Sequence, residues 1–239
     1  MSIRTRAVEY ADGDTVLEGQ LAFDDDGRPR PGVLVAHAWR GRSAFEDAKA
    51  RALAELGYTG LAMDLYGKGV RGGSVEENRA LIQPFMNDRA RLQRRMLCAL
   101  DCLRAQAEVD AARTGAIGFC FGGLCVLDLA RTGVDVAGVV SFHGLLQPPD
   151  NTAGNALRAK VLVLHGFDDP MGTPEALVAL GRELTAMGAD WQAHAFGNTM
   201  HAFTNPQAND PGFGTVYQPD ADRRSWQLMQ AFLAEIFAS

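Results

Sequence analysis

Residues 114–130 read TGAIGFCFGGLCVLDLA. The stretch enters on small and β-branched residues, bends at glycines around Cys120, and leaves with the apolar spacing of a helix. Gly118 and Gly122 stand two positions before and two after the cysteine, and Gly123 follows. A side chain carried at the tip of a strand–turn–helix bend has a crowded backbone, so small neighbours are required at those spacings. The helix start behind the sulfur offers unpaired N–H groups and the positive end of a dipole. Both favour an anionic sulfur and can receive an oxyanion. The plainer reading, a small cysteine buried in a glycine-rich packing turn, explains neither the glycine pair nor the partners found downstream.

Around this bend the chain has the composition of an ordinary globular protein: 239 residues, 47% hydrophobic and 22% charged. An α/β chain of this length is commonly one domain, and a single domain over 1–239 is expected. Net charge is −6. The densest basic run, RARLQRR at 89–95, falls on a helical pattern and reads as a solvated face, which argues against a nucleic-acid partner. The first residues, MSIRTRAVEYADGD, lack the apolar core of a signal peptide, and no window suits a membrane span. A cytoplasmic protein, monomeric or homodimeric, is expected. Cys98, Cys102, Cys120 and Cys125 include no C-x-x-C pair, so zinc is not indicated and the other three read as buried thiols.

Strand-like runs recur at 15–23, 32–38, 59–65, 114–119, 137–143, 160–166 and 191–196, several of them apolar on consecutive residues, as strands covered on both faces are. Helical patterns occupy 44–56, 89–107, 122–132, 174–188 and 222–237, the fourth opening on a proline and closing at Gly188. This alternation predicts a doubly wound, mostly parallel sheet with helices on both faces. KGVRGGSVEEN (68–78) and TNPQANDPGFGTVYQPD (204–220) read as long loops, of the kind that line sites or form lids.

A thiolate nucleophile needs a base, and the base needs an orienting carboxylate. In the α/β-hydrolase order, nucleophile, acid and histidine follow one another along the chain. Strand 160–166 runs into HGFDDP, and strand 191–196 is followed by GNTMHAFTNP. His201 is therefore the expected base and Asp169 the expected acid, with Asp168 read as a turn former bonding its own backbone. His194 reads as a packed or edge histidine. His37, His143 and His165 all end strands on one rim; a metal cluster there is conceivable, but nothing in their spacing requires it, and no metal or cofactor is expected.

Taken together, GFCFGG, HGFDDP, HAFTNP and the segment LAMDLYGKG (61–69) resemble the dienelactone hydrolase family, whose nucleophile is cysteine. The resemblance runs from about Val33 to the C-terminus. It implies a Cys120–Asp169–His201 triad, with the backbone N–H groups of Phe121 and of Trp39, in VAHAWRG, as oxyanion donors. Two departures stand out. Family enzymes acting on dienelactone carry a glutamate where this chain has Ala38, which restrains the thiol until a substrate carboxylate arrives. They also carry an arginine, here Asn205, that clamps that carboxylate. The loss of a charge-assisted bond of about 1.5–3 kcal/mol argues against an anionic substrate. Ala38, Asn205 and Phe203 are thus expected at the substrate, with Trp39, Phe121 and Phe85 as further candidate walls; each aromatic suits the core equally well. Arg71, Arg79 and Arg89 are candidates for a replacement clamp, each more simply a surface arginine.

The expected activity is hydrolysis of neutral carboxylic esters or lactones. Metal-independent hydrolysis of phosphotriesters by the same groups is the alternative. A thiol sensor pairing Cys120 with Cys125 is a remote third, because the two side chains should diverge across the turn.

Overall fold

The computed structural model describes residues 2–152 and 154–238. Its contacts group the chain into two compact units, Met1–Ile117 and Gly118–Ser239.

In the first unit, β1 (Ile3–Asp12) and β2 (Thr15–Asp24) form an antiparallel hairpin closed at Asp12 and Thr15, with Gly13 at φ +58° in the turn. β3 (Arg30–Ala36) pairs in parallel with β4 (Thr59–Ala62), and β2 runs antiparallel to β4. The intervening α1 (Ala44–Glu55) starts at a capping box, in which Ser43 accepts backbone N–H and Glu46 reaches back to the cap. α2 (Val75–Asn87), α3 (Arg89–Arg104) and β5 (Val109–Phe119) follow. Leu17, Leu21, Leu34, Leu53, Leu61, Met96, Leu100 and Leu103 are buried in its core.

Three features of this unit depart from the expectations. β1 is a strand ahead of the expected runs, which begin at residue 15. Residues 75–78 open α2 instead of continuing a loop, capped by the Ser74–Glu77 box. The basic run is not simply a solvated face. Arg95 is buried, paired with Asp12 and donating to the Leu65 carbonyl at 2.8 Å, and Arg89 is buried too. A long stem and a forked head let an arginine cross apolar ground to reach such acceptors.

The second unit opens on the end of β5 and continues with α4 (Phe121–Arg131), β6 (Gly138–Phe142), β7 (Lys160–Gly166), α5 (Pro174–Ala186) and β8 (Trp191–Phe196). β6, β7 and β8 are parallel neighbours. Gly166 pairs with Phe196 at the carboxyl ends of β7 and β8, so the two loops that follow leave side by side. The segment expected to be an open loop holds a small hairpin, β9 (Asn209–Asp210) and β10 (Thr215–Val216), before α6 (Pro219–Ala238). Strands β1–β8 belong to one mostly parallel sheet in the order β1-β2-β4-β3-β5-β6-β7-β8.

Candidate active site

β5 ends at Phe119, and α4 begins at Phe121. Cys120 between them has φ +57° and ψ −116°, a strained backbone for a residue with a Cβ. Its amide donates to the Phe142 carbonyl at 3.0 Å and to His143 Nδ1 at 3.2 Å. The glycines are explained by contact. A methyl group at Gly118 would overlap the carbonyl of Gly122, and one at Gly123 would lie 2.6 Å from Gly144 Cα. Cys120 is partly exposed, whereas Cys125, one turn into α4, is buried.

From the adjoining loops, Asp169 Oδ2 accepts a hydrogen bond from His201 Nδ1 at 2.7 Å, and both residues are buried. Asp169 Oδ1 accepts from the Met171 amide at 2.8 Å, closing a local turn that aims the carboxylate. Asp168 lies exposed. Its carboxylate accepts from the Thr199 amide at 3.1 Å, so it fastens the acid loop to the histidine loop instead of bonding within its own turn. The backbone of His201 is held by the small hairpin: its amide donates to Gly214 and its carbonyl accepts from Val216.

With Nδ1 committed to Asp169, Nε2 is the other ring nitrogen of His201. It is buried and meets no partner at strict hydrogen-bond geometry. Burial disfavours a charged ring here. Interaction with Cys120 first, and with the hydrogen-bonded Asp169, outweighs that cost and pushes the His201 pKa up to about 10. The sulfur acts on the ring chiefly through charge, which needs no ideal angle.

Two further buried histidines stand beside this pair. His143 faces His201 edge-on at 5.1 Å between ring centroids, and its Nε2 lies 2.8 Å from Thr204 Oγ1. His165 Nε2 donates to the Gly172 carbonyl at 2.6 Å and lies 3.7 Å from Asp169 Oδ2; burial lowers its pKa. A neutral His165 does not compete with His201 for the carboxylate. The sequence flagged both only as strand-ending histidines on one rim. Among the described residues no group of three His, Cys, Asp or Glu side chains could hold a metal ion.

The other singled-out residues fall variously. Phe203 is buried with its ring against His143 and Phe196, so it supports the histidine loop from within. Asn205 is half-buried, and its side chain accepts from the Gln207 amide at 3.0 Å. His194 is half-buried on β8, with Nε2 3.3 Å from Gln192 Oε1. In the first unit, Phe85 is buried 5.7 Å from the Tyr66 ring, and the half-buried Trp39 offers its carbonyl to Tyr66 Oη at 2.8 Å. The amide of Ala38 donates to the buried Glu46 carboxylate at 3.3 Å. A glutamate from α1 thus reaches the backbone at the position where the sequence lacks one.

A mostly parallel sheet with a cysteine-bearing turn, an acid loop and a histidine loop in that chain order defines an α/β-hydrolase. Residues 17–237 match the dienelactone hydrolase family, and the chain belongs to it. A dienelactone hydrolase-like promiscuous phosphotriesterase, P91, from metagenomic libraries is similar in structure, with 39% identity and a TM-score of 0.94, over 99% of this chain and 100% of that one. A protein of Bradyrhizobium sp described as a "Probable 2-oxo-3-(5-oxofuran-2-ylidene)propanoate lactonase" is 25% identical, over 98% of this chain and 96% of its own. An uncharacterised Caenorhabditis elegans protein is 36% identical over 62% of this chain and 96% of its own. The protein is therefore a hydrolase acting on ester or lactone bonds.

Proposed function

We propose that the enzyme cleaves neutral, fairly apolar carboxylic esters or lactones through a covalent thioester on Cys120. The observation that carries this reading is the environment of His201. Its Nδ1 is bound to Asp169, its buried Nε2 is uncommitted, and its pKa is raised by the neighbouring Cys120 and Asp169.

The Cys120 thiolate attacks the carbonyl carbon, and the negative charge passes to the carbonyl oxygen. The Phe121 amide at the start of α4 receives that charge, together, by family resemblance, with the amide of Trp39. On collapse of the intermediate, the C–O bond to the alcohol breaks, and the His201 imidazolium gives its Nε2 proton to the leaving alkoxide. Neutral His201 then takes a proton from water. The hydroxide attacks the thioester, and Cys120 leaves as the thiolate, restoring the ion pair. Asp169 fixes the ring's tautomer and stabilises its charged form without taking the proton.

The preference for neutral substrates rests on Ala38 and Asn205, which bring neither a restraining carboxylate nor a clamping cation. The likeness to a promiscuous phosphotriesterase, 39% identical, supports a second activity, in-line attack by the same thiolate on a neutral phosphotriester. The test is a panel of neutral and carboxylate-bearing aryl esters plus one phosphotriester, run on wild type and Cys120→Ala. Neutral esters should be turned over best, and the alanine variant should lose activity by several orders of magnitude, about 10³-fold or more. Undiminished turnover in the variant would remove the assignment.

A further inference from the structure

We infer that His143 is a positioning residue that ties the turn carrying Cys120 to the loop carrying His201. The inference rests on the reading of Cys120 as nucleophile and His201 as base, and adds a third imidazole to that site.

His143 follows β6 and lies buried, with φ +38°. Among the described residues, the non-glycine residues at positive φ are Cys120, His143, Asn198 and Ala202. Cys120 donates to His143, and Ala202 and Asn198 flank His201. Strain of this kind persists only where surrounding contacts hold it, and it gathers at functional sites. At Cys120 and His143 the ring of His143 adds two bonds to the one the Cys120 amide makes with the Phe142 carbonyl at 3.0 Å. Nδ1 accepts the Cys120 amide at 3.2 Å, so Nε2 carries the proton and donates it to the buried Thr204 Oγ1 at 2.8 Å. The amide of His143 itself is anchored to the Leu164 carbonyl at 2.8 Å on β7. One neutral imidazole thus binds the backbone beneath the sulfur and a side chain three residues past the base, while its ring packs edge-on against His201.

Neither bond touches a reacting atom. Both fix where reacting atoms stand, and misplacement by about 1 Å can cost roughly 100-fold in rate. Thr204 lies in the motif HAFTNP, and His143 in VVSFHG; their connection is invisible until the fold brings them together.

Replacement at this position separates the two bonds. Asn places an amide oxygen near Nδ1 and tolerates positive φ, so His143→Asn keeps the acceptor for Cys120. Gln reaches the Nε2 position but not Nδ1, and Phe keeps the shape without either bond. The measurements are kcat and KM on a neutral aryl ester, and the iodoacetamide alkylation rate of Cys120, located by peptide fragmentation. His143→Phe and His143→Gln should lose about 10–100-fold, in kcat more than KM and in alkylation alike, while His143→Asn recovers most of it. Thr204→Val, which keeps the acceptor, should lose less than His143→Gln and stands in if the Phe variant does not fold. Wild-type rates in the Phe variant, or an Asn variant no better than Gln, would overturn the inference, as would losses that merely follow the unfolding midpoint. A Cys120→Ala enzyme that still hydrolyses esters would sink the nucleophile reading instead. The alkylation rates would even then report whether His143 holds the turn.

Discussion

Asp169 and His201 meet through one oxygen and one nitrogen, Oδ2 and Nδ1, 2.7 Å apart, while the other oxygen of Asp169 is bound to the Met171 amide. The carboxylate is thus aimed by its own turn before it aims the ring. Asp169→Asn should preserve the turn and leave the ring in the wrong tautomer, lowering kcat by about 10³-fold or more. Asp168→Asn, at an exposed neighbour whose carboxylate accepts from the Thr199 amide, should retain activity to within about tenfold. Steady-state kinetics of the two variants on one ester checks the distinction.

His201 carries a pKa raised to about 10, against an ordinary value of 6.5. A group raised on folding adds stability that is complete below its unfolded pKa and is lost as pH climbs to the folded one. The advantage of wild type over His201→Gln in urea unfolding should therefore be largest below about pH 6.5 and shrink toward pH 10. By NMR, the wild-type ring should stay protonated through neutral pH, and Cys120→Ala should move its titration down. An unmoved titration would mean that the sulfur does not supply the charge.

Gly118 and Gly123 are required by contact, so a single methyl group is informative. Gly118→Ala and Gly123→Ala should each destabilise the protein by about 1–3 kcal/mol, since carbonyl and Cα atoms cannot yield as a flexible side chain would. Denaturant midpoints at constant slope measure this.

Substrate charge preference should respond to Asn205→Arg. A guanidinium there gives a carboxylate-bearing ester a charge-assisted partner, and its kcat/KM relative to a neutral ester should rise about tenfold. Competition assays between the two esters read the ratio directly.

The bend at Cys120 was legible because its requirements are local: glycines at fixed spacing between a strand and a helix. The positions of Asp169 and His201 followed from chain order after two apolar runs. The elements missed had weaker local signals. α2 opens on a readable capping box at Ser74 and Glu77, but its glycine-rich approach and the internal Pro84 resemble a loop. The β9–β10 hairpin has strands too short to carry an alternation pattern. Arg95 is a buried charge whose partners, Asp12 and the Leu65 carbonyl, lie far along the chain, and buried Glu46 reaches the Ala38 amide besides its local cap at Ser43. The roles of His143 and His165 depend on parallel register, which sets strand ends beside one another and leaves no trace in spacing.

In the proposed mechanism the acyl group passes through the sulfur of Cys120. Acid-quenching the enzyme during turnover of a slow aryl ester, then fragmenting the peptide containing Cys120 and Cys125, locates any acyl mass. That mass should appear on Cys120, accumulating at a rate matching release of the first product. Turnover with no acyl group on Cys120, or with it on another residue, would contradict it.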